Sequence, residues 1–178
     1  MPTELPTSRF TMALSRAVFL DRDGVLTRER RDYVKTPEEL ETLPGIYEPL
    51  RRIGEKGFRL VLITNQSIVG RGLATHKDLA SIHRKLRRDL KQHGCRLDAI
   101  YYCPHLPEDN CGCRKPEPGM ILKAARELGI DPRQSWMIGD KEIDLEAARK
   151  AGCRGIKIPT NGDGLARAVR EIIAEESR

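Results

Sequence analysis

Aromatic residues and long apolar segments are both scarce in this sequence. Phenylalanine, tryptophan and tyrosine make up 4% of its 178 residues, whereas proteins that hold single-stranded nucleic acid stack its bases on aromatic rings. Apolar runs such as Leu60–Ile63 are far shorter than the roughly 18 residues of a membrane span. The N-terminal stretch lacks the apolar core of a secretory signal. We therefore expect a cytoplasmic protein with no membrane partner.

Cysteine is present in an odd number, which argues against a disulfide framework. The chain has five cysteines and no export signal. Cys103, Cys111 and Cys113 lie within eleven positions together with His105. Three thiols and an imidazole form a ligand set of tetrahedral structural zinc sites, so we predict such a site here; the alternative is a loop of free thiols. The two remaining cysteines lack neighbouring ligands and are predicted to be small apolar residues, Cys95 and Cys153.

The charge balance is basic. Lysine and arginine number 32 against 26 acidic residues, a formal net charge of +6. Such an excess suits nucleic acid or an anionic small molecule such as a sugar phosphate. The run Arg84–Arg88 lies on a helix-like stretch, where such runs are mostly solvated faces, and the other basic residues are spread along the chain. The small anionic substrate is therefore favoured, and we expect no nucleic-acid partner.

Strand-like apolar runs alternate with helix-like segments. This alternation predicts one α/β domain, a parallel sheet with helices on both faces, over residues 16–178, after an N-terminal extension over 1–15 in which Met12 is a candidate start. The predicted strands are Ala17–Leu20, Phe58–Ile63, Ala99–Tyr102, Ser135–Ile138 and Gly155–Ile158. The predicted helices are Ile46–Lys56, His76–His93, Pro116–Leu128, Ile143–Lys150 and Leu165–Ile173.

Three predicted strands end in polar residues. Asp21 and Asp23 follow the first strand, Thr64 the second and Asp140 the fourth. Because ligands bind at the carboxyl ends of the strands in an open parallel sheet, we expect these side chains to share one crevice. Each residue alone could be a turn former. Together, with Lys115 available, the carboxylates indicate a Mg²⁺ site, since they would otherwise repel each other.

Four segments resemble the motifs of the haloacid dehalogenase (HAD) superfamily of aspartate-nucleophile phosphatases. They are Phe19–Val25, Ile63–Gln66, Cys113–Pro116 and Ile138–Asp140, in the family's order. The match covers roughly residues 17–158. Only about twenty residues separate the first motif from the first predicted helix, too few for an inserted cap domain.

The resemblance implies a role for each motif. Asp21 would be the nucleophile that forms an aspartyl-phosphate. Asp23 would be the general acid and then the general base. Mg²⁺ would be held by the Asp21 carboxylate, the Asp23 backbone carbonyl and Asp140. Thr64 and Lys115 would stabilise the phosphoryl oxygens.

Asp144 lies one helical turn after Asp140 and has two interpretations. It could orient Lys141 or a metal-bound water. It could equally be a helix-start residue favoured by the helix dipole.

The zinc-type cluster and the Thr-Asn-Gln-Ser segment narrow the resemblance. They are similar to the heptose-bisphosphate phosphatases, with histidinol-phosphate phosphatases as the alternative. The implied reaction is removal of the C7 phosphate of D-glycero-D-manno-heptose 1,7-bisphosphate, by a monomer with this small-molecule partner. Two further alternatives to a sugar-phosphate phosphatase are a phosphatase that acts on polynucleotide ends and a zinc-stabilised module that binds nucleic acid. The implied substrate contacts are Tyr33, Asn65, Gln66, Ser67, Arg114 and Lys141.

One stretch departs from that pattern. The family's Asp-His-Gly-Tyr-like segment reads Arg30-Arg31-Asp32-Tyr33 here, so that only Tyr33 matches. The two added arginines could favour a second phosphate on the substrate, or form a solvated surface run.

Overall fold

The computed structural model describes residues 13–177. Within this range five parallel strands form one sheet in the order β3-β2-β1-β4-β5. The strands are β1 Ala17–Leu20, β2 Arg59–Asn65, β3 Ala99–Cys103, β4 Trp136–Gly139 and β5 Arg154–Lys157. The helices are α1 Tyr47–Glu55, α2 His76–Gln92, α3 Gly119–Leu128, α4 Glu142–Ala151 and α5 Leu165–Glu175. The predicted α/β architecture is confirmed, and no cap domain interrupts it among these residues.

Strand β1 lies at the centre of the sheet and has a buried side chain at every position. Val18 and Leu20 pack into one apolar cluster, and Ala17 and Phe19 into the other. This alternation follows from the two-residue period of a strand. The first cluster includes side chains of α1, α2 and α5, and the second includes side chains of α3 and α4. Helices therefore cover both faces, as parallel sheets require.

Three element boundaries differ from the prediction by two residues or more, one of them the end of α5, which runs to Glu175 and not to Ile173. Strand β2 runs on to Asn65, because Thr64 pairs with Tyr102 and Asn65 with Cys103 on β3. Helix α3 begins at Gly119 and not at Pro116. The Gly119 backbone N–H donates to the Gly112 carbonyl at 3.1 Å, so the chain before α3 folds back on itself before the helix starts.

The N-terminal extension is described only at its end. Residues 1–12, including Met12, lie outside the described range. Ser15 pairs with Ile130 in a parallel bridge, and its backbone N–H donates to Gly129 at 2.8 Å. Among the described residues, none of the helices has the length and apolar character needed to cross a membrane.

The strand order determines where the functional residues meet. Strands β2, β1 and β4 are adjacent and parallel. Their carboxyl ends therefore carry Thr64, Asp21 and Asp140 to one edge of the sheet, which is where open parallel sheets bind ligands.

Candidate active site

A cavity of about 240 Å³ opens at this edge of the sheet. Every residue predicted to act on or contact the substrate lines it. These residues are Asp21, Asp23, Tyr33, Thr64, Asn65, Gln66, Ser67, Arg114, Lys115 and Lys141.

Lys115 lies at the floor of the cavity and is 3% exposed. Its ammonium is 2.9 Å from Asp21 Oδ1 and 2.7 Å from Asp144 Oδ1, and it donates to the Ile63 carbonyl at 2.9 Å. Burial alone would lower the pKa of Lys115, but the charges of Asp21 and Asp144 outweigh it and raise that pKa. The lysine therefore stays positively charged beside the predicted nucleophile.

Asp21 is held in place before any ligand arrives. Its Oδ1 accepts a hydrogen bond from the Arg22 backbone N–H at 2.8 Å. Burial raises the pKa of Asp21 to about 6, against the opposing effect of Lys115 and with a contribution from the Asp144 charge. A buried carboxylate of this kind is stabilised by a further cation.

Asp140 offers the clearest sign of a metal ligand. Its Oδ2 accepts from the Thr160 hydroxyl at 2.7 Å, whereas its buried Oδ1 has no hydrogen-bond partner among residues 13–177. Ligand oxygens of Asp21, Asp140 and Asp144 all lie within 4.8 Å of one another. Three buried carboxylates around an unpaired oxygen suit a hard divalent cation such as Mg²⁺. The residues present therefore fit the metal that the sequence predicts.

Two glycines allow these acidic side chains to come so close. A Cβ on Gly24, whose φ is +87°, would lie 2.5 Å from Asp140 Oδ2. A Cβ on Gly139 would lie 2.2 Å from the Asp144 Cβ. Larger residues at either position would displace the carboxylates.

The structure supports the interpretation of Asp144 as a helix-start residue and does not show it orienting the Lys141 side chain. Its Oδ2 accepts from the Lys141 backbone N–H at 3.0 Å, as expected of a helix-start residue. Its Oδ1, however, faces Lys115, and the Lys141 ammonium instead forms an ion pair with Glu29. Asp144, with a fully buried side chain, thus orients the Lys115 ammonium and not the Lys141 side chain.

The Asp23 carboxylate accepts hydrogen bonds from several neighbouring side chains. Arg22 donates from Nε to Oδ1 at 3.0 Å and from Nη2 to Oδ2 at 2.9 Å. Gln66 Nε2 donates to Oδ2 at 2.9 Å and the Thr27 hydroxyl to Oδ1 at 3.2 Å. Burial would raise the pKa of Asp23, but the Arg22 charge and these hydrogen bonds outweigh it and hold the pKa below its ordinary value. Asp23 is therefore ionised when no substrate is bound.

Two of the predicted substrate contacts also hold the site itself together. Gln66 Nε2 donates to the Thr64 hydroxyl at 2.9 Å as well as to Asp23. Asn65 Nδ2 donates to the Lys115 carbonyl, and Asn65 Oδ1 accepts from the Lys115 N–H, both at 3.0 Å. Asn65 thus joins the end of β2 to the loop that carries Lys115.

The cysteine cluster forms a compact site beside the cavity. Cys103 Sγ lies 3.5 Å from Cys111 Sγ, 3.3 Å from Cys113 Sγ and 3.4 Å from His105 Nδ1. Ligands of one tetrahedral zinc ion lie about 3.5–3.8 Å apart, given metal–ligand distances of about 2.0–2.3 Å. The four side chains therefore could hold zinc. Arg114, which follows Cys113 in the chain, donates to the His105 carbonyl at 3.1 Å.

The mouth of the cavity is basic and contains residues that the sequence analysis did not single out. The Arg71 guanidinium carbon lies 5.9 Å from the centre of the Tyr33 ring. Arg30 lines the cavity but pairs with Asp32 at 3.1 Å, and Arg31 is not part of the lining. Thr160 was also missed, although it follows β5 closely and the rule of polar strand ends points to it. Arg71 gave no comparable signal.

Several known proteins with similar sequences carry the same enzyme name. A family model described as HAD-hydrolase-like matches residues 112–174. The D-glycero-β-D-manno-heptose-1,7-bisphosphate 7-phosphatase of Helicobacter pylori is 46% identical over 141 residues, which cover 79% of this chain and 81% of that protein. Its counterpart from Pseudomonas aeruginosa is 38% identical over 153 residues, covering 85% of each.

A solved structure of a protein with the same kind of name also matches this chain. The crystal structure of the D,D-heptose 1,7-bisphosphate phosphatase of Bordetella bronchiseptica, complexed with magnesium and phosphate, superposes with a TM-score of 0.83. It is 36% identical, and the match covers 90% of this chain and 99% of that one. The resemblance drawn from the four motifs is thereby confirmed. The chain belongs to the heptose-bisphosphate phosphatases, a family of phosphoric monoester hydrolases with the HAD fold.

Proposed function

We propose that the protein removes the C7 phosphate of D-glycero-D-manno-heptose 1,7-bisphosphate in a Mg²⁺-dependent reaction that passes through an aspartyl-phosphate. The observation that carries the reaction type is the buried pair of Asp21 and Lys115 at the floor of a basic cavity. The family relatives supply the substrate, since their names specify this sugar bisphosphate.

Asp21 acts as the nucleophile. Its carboxylate attacks phosphorus, a bond forms between carboxylate oxygen and phosphorus, and the bond from phosphorus to the C7 oxygen breaks. The Lys115 ammonium and the Thr64 hydroxyl face the same space and stabilise the charge that develops on the phosphoryl oxygens. Asp144 and the Ile63 carbonyl keep the ammonium directed at this point.

Asp23 moves the protons. The leaving C7 alkoxide needs a proton, and Asp23 supplies it; the resulting carboxylate then takes a proton from the water that hydrolyses the aspartyl-phosphate. Asp23 is ionised without substrate, so it must first bind a proton. An anionic phosphate group nearby favours that uptake, because a like charge raises the pKa of a carboxyl.

The acidic cluster would hold the magnesium ion through Asp21, Asp140 and the Asp23 backbone carbonyl. When bound, Mg²⁺ neutralises charge between the nucleophile and the phosphate. The zinc ion would be structural, since four protein ligands leave no position for a water. Its ligands Cys111 and Cys113 immediately precede Arg114 and Lys115, so the zinc site would fix this part of the cavity wall.

The cavity mouth favours a bisphosphate over histidinol phosphate. Arg71 and Arg114 line it beside the Lys141–Glu29 ion pair, and a second phosphate group suits these two guanidinium groups. Histidinol phosphate would instead need a carboxylate to face its amine. Glu29 is the acidic residue at the rim, but it is engaged by Lys141. The single domain over 16–178, the monomeric state and the cytoplasmic location stay predictions.

A phosphate-release screen tests this proposal. The purified protein would be assayed with heptose 1,7-bisphosphate, fructose 1,6-bisphosphate, histidinol phosphate and a 3′-phosphorylated DNA oligonucleotide, each with Mg²⁺ and with a chelator. We expect the highest kcat/KM for the heptose bisphosphate and loss of activity in the chelator. A higher kcat/KM for histidinol phosphate or DNA would overturn the assigned substrate, and full activity in the chelator would overturn the metal requirement.

A further inference from the structure

Arg22 lies between the two aspartates of the first motif and is 1% exposed. A fully buried guanidinium must be paired with acceptors, because an unpaired buried charge is strongly destabilising. Two of its nitrogens bind Asp23, as described above. Its Nη2 also donates to Gln66 Oε1 at 2.9 Å, and its Nη1 lies 3.3 Å from His83 Nε2.

The contact with His83 fixes the protonation of that ring. A guanidinium has only donors, so His83 Nε2 must be the acceptor and the ring proton must be on Nδ1. Burial lowers the pKa of His83 to about 3, with a further contribution from the Arg22 charge, so the ring is neutral. His83 therefore acts as a hydrogen-bond acceptor for Arg22.

His83 is an unusual residue for its position on α2. It is 6% exposed, on the side of the helix that buries Leu79, Ile82 and Leu86. A histidine on this apolar side needs a polar partner, and its hydrogen-bond partner is Arg22, which lies 61 positions earlier in the chain. Helix α2 belongs to none of the four motifs, yet through this contact it reaches the proposed acid.

The contact of Arg22 with His83 differs from its other contacts. Asp23 must alternate between giving and taking a proton, so its hydrogen bonds to Arg22 change during the reaction. Gln66 accepts from Arg22 but also donates to Asp23, so it shares in that change. His83 binds a separate nitrogen of Arg22, Nη1, and can keep the guanidinium in place while Asp23 changes.

We propose that His83 is a positioning residue: it holds Arg22 through Nε2, and Arg22 in turn orients the Asp23 carboxylate for proton transfer. This inference rests on the proposed function, in which Asp23 is the general acid. Loss of the acceptor at position 83 therefore impairs the step in which the leaving oxygen is protonated and leaves phosphate binding intact.

The test compares substrates that differ in their need for an acid. A p-nitrophenolate leaving group departs without a proton, whereas the alkoxides of heptose bisphosphate and histidinol phosphate need one. We expect His83→Leu to lower kcat on the alkyl phosphates by about 10- to 100-fold, with little change in KM or in kcat for p-nitrophenyl phosphate. His83→Gln, which retains an acceptor, should restore most of the activity. A matched control is His76→Leu, because His76 lies on the same helix but is exposed and contacts Tyr102.

A double-mutant cycle with Asp23→Asn separates this inference from the proposed function. If His83 acts through Asp23, His83→Leu causes no further loss on alkyl phosphates in the Asp23→Asn background. Equal losses on both substrate types, or additive losses in the cycle, would overturn the inference while leaving Asp23 as the acid. An Asp23→Asn enzyme with no leaving-group dependence would contradict the acid role in the proposed function, and the inference with it.

If His83→Leu does not fold, Arg22→Lys provides the test. Lysine retains the positive charge but cannot donate to both Asp23 oxygens as a fork. We expect the same selective loss on alkyl phosphates, and an equal loss on both substrate types would again overturn the inference.

Discussion

Lys115 shares its single positive charge among several buried carboxylates. Asp21 and Asp144 contact it directly, and Asp140 lies close to both without contacting it. Burying a charge is costly unless it is paired, and here acidic groups outnumber the basic one. The folded protein therefore contains local electrostatic repulsion that a divalent cation would relieve.

This imbalance predicts that Mg²⁺ stabilises the folded protein. We expect Tm to rise with Mg²⁺ concentration, with a gain in unfolding free energy of about 2.7 kcal/mol at 100 times the Kd. Asp140→Asn should lose this gain. Because burial raises the pKa of Asp140, the metal-free variant should be at least as stable as the metal-free wild type. Thermal melts of both proteins with and without Mg²⁺ check this, and an equal gain in the two would contradict the assigned metal ligand.

Asp21→Asn should abolish turnover and preserve the fold. A neutral amide cannot form the aspartyl-phosphate, so kcat should fall by about 10³-fold or more. Steady-state kinetics measures the loss, and circular dichroism with a thermal melt shows whether the variant is folded. Substantial activity in the folded variant would refute the aspartyl-phosphate intermediate.

At the scale of secondary-structure elements, the loop from β3 to α3 has the most unusual construction. It follows Cys103 at the end of β3, passes Cys111 and Cys113, and holds Lys115 against Asn65 before α3 begins. A loop of this length with little regular structure is weakly held by backbone hydrogen bonds alone. A metal ion would give it the rigidity that the proposed phosphate-binding role of Lys115 needs.

Loss of one zinc ligand should therefore impair both stability and substrate binding. We expect Cys111→Ser to bind less zinc, to melt at a lower temperature and to have a raised KM, since structural metal binding contributes folding free energy. The matched control is Cys95→Ser. Cys95 is buried, and its thiol donates to the Tyr47 carbonyl at 3.2 Å, a contact that serine can replace.

Metal analysis and kinetics of the two variants decide the role of the cluster. Wild type and Cys95→Ser should contain about one zinc per chain, retained when mild chelation removes Mg²⁺. A folded, fully active wild-type protein without zinc would show that the cluster is not a structural zinc site.

The elements could be predicted where their signal is local. The apolar runs of β1 and β4 and the amphipathic pattern of α2 gave their positions to within a residue or so. The start of α3 could not be predicted, because it depends on the Gly119–Gly112 hydrogen bond in the preceding loop.

The same distinction applies to the site. Residues in the ordered motifs were found because strand ends converge in a parallel sheet. The residues that contact them could not be predicted, because they are distant in sequence. Glu29 lies 112 positions from its partner Lys141, and His83 lies 61 positions from Arg22. The sequence does place His83, a polar residue, on the apolar side of α2, and this pattern could have indicated a buried polar contact.

At the scale of the whole molecule, the net charge of +6 gives a general attraction to anions. In the structure, Arg71 and Arg114 contribute positive charge at the cavity mouth, where Arg30 and Lys141 are paired with Asp32 and Glu29. A cavity of about 240 Å³ can accommodate part of a small sugar phosphate, whereas a duplex needs an extended basic surface.

We therefore expect weak, non-specific binding to nucleic acid. The protein should elute from a heparin or DNA column at modest salt, and a 3′-phosphorylated oligonucleotide should not inhibit hydrolysis of the sugar bisphosphate. Retention to high salt with a steep dependence of affinity on salt concentration would indicate many phosphate contacts and would favour a nucleic-acid substrate.

The central claim, hydrolysis at C7 of a heptose bisphosphate by Asp21 chemistry, can be tested most directly by ³¹P NMR. D-glycero-D-manno-heptose 1,7-bisphosphate would be incubated with the protein and Mg²⁺, with Asp21→Asn as the blank. The account predicts that the C7 phosphorus signal is replaced by inorganic phosphate while the C1 signal persists, and that the blank leaves both signals unchanged. Loss of the C1 signal first, or no phosphate release by a folded, Mg²⁺-supplied protein, would contradict it.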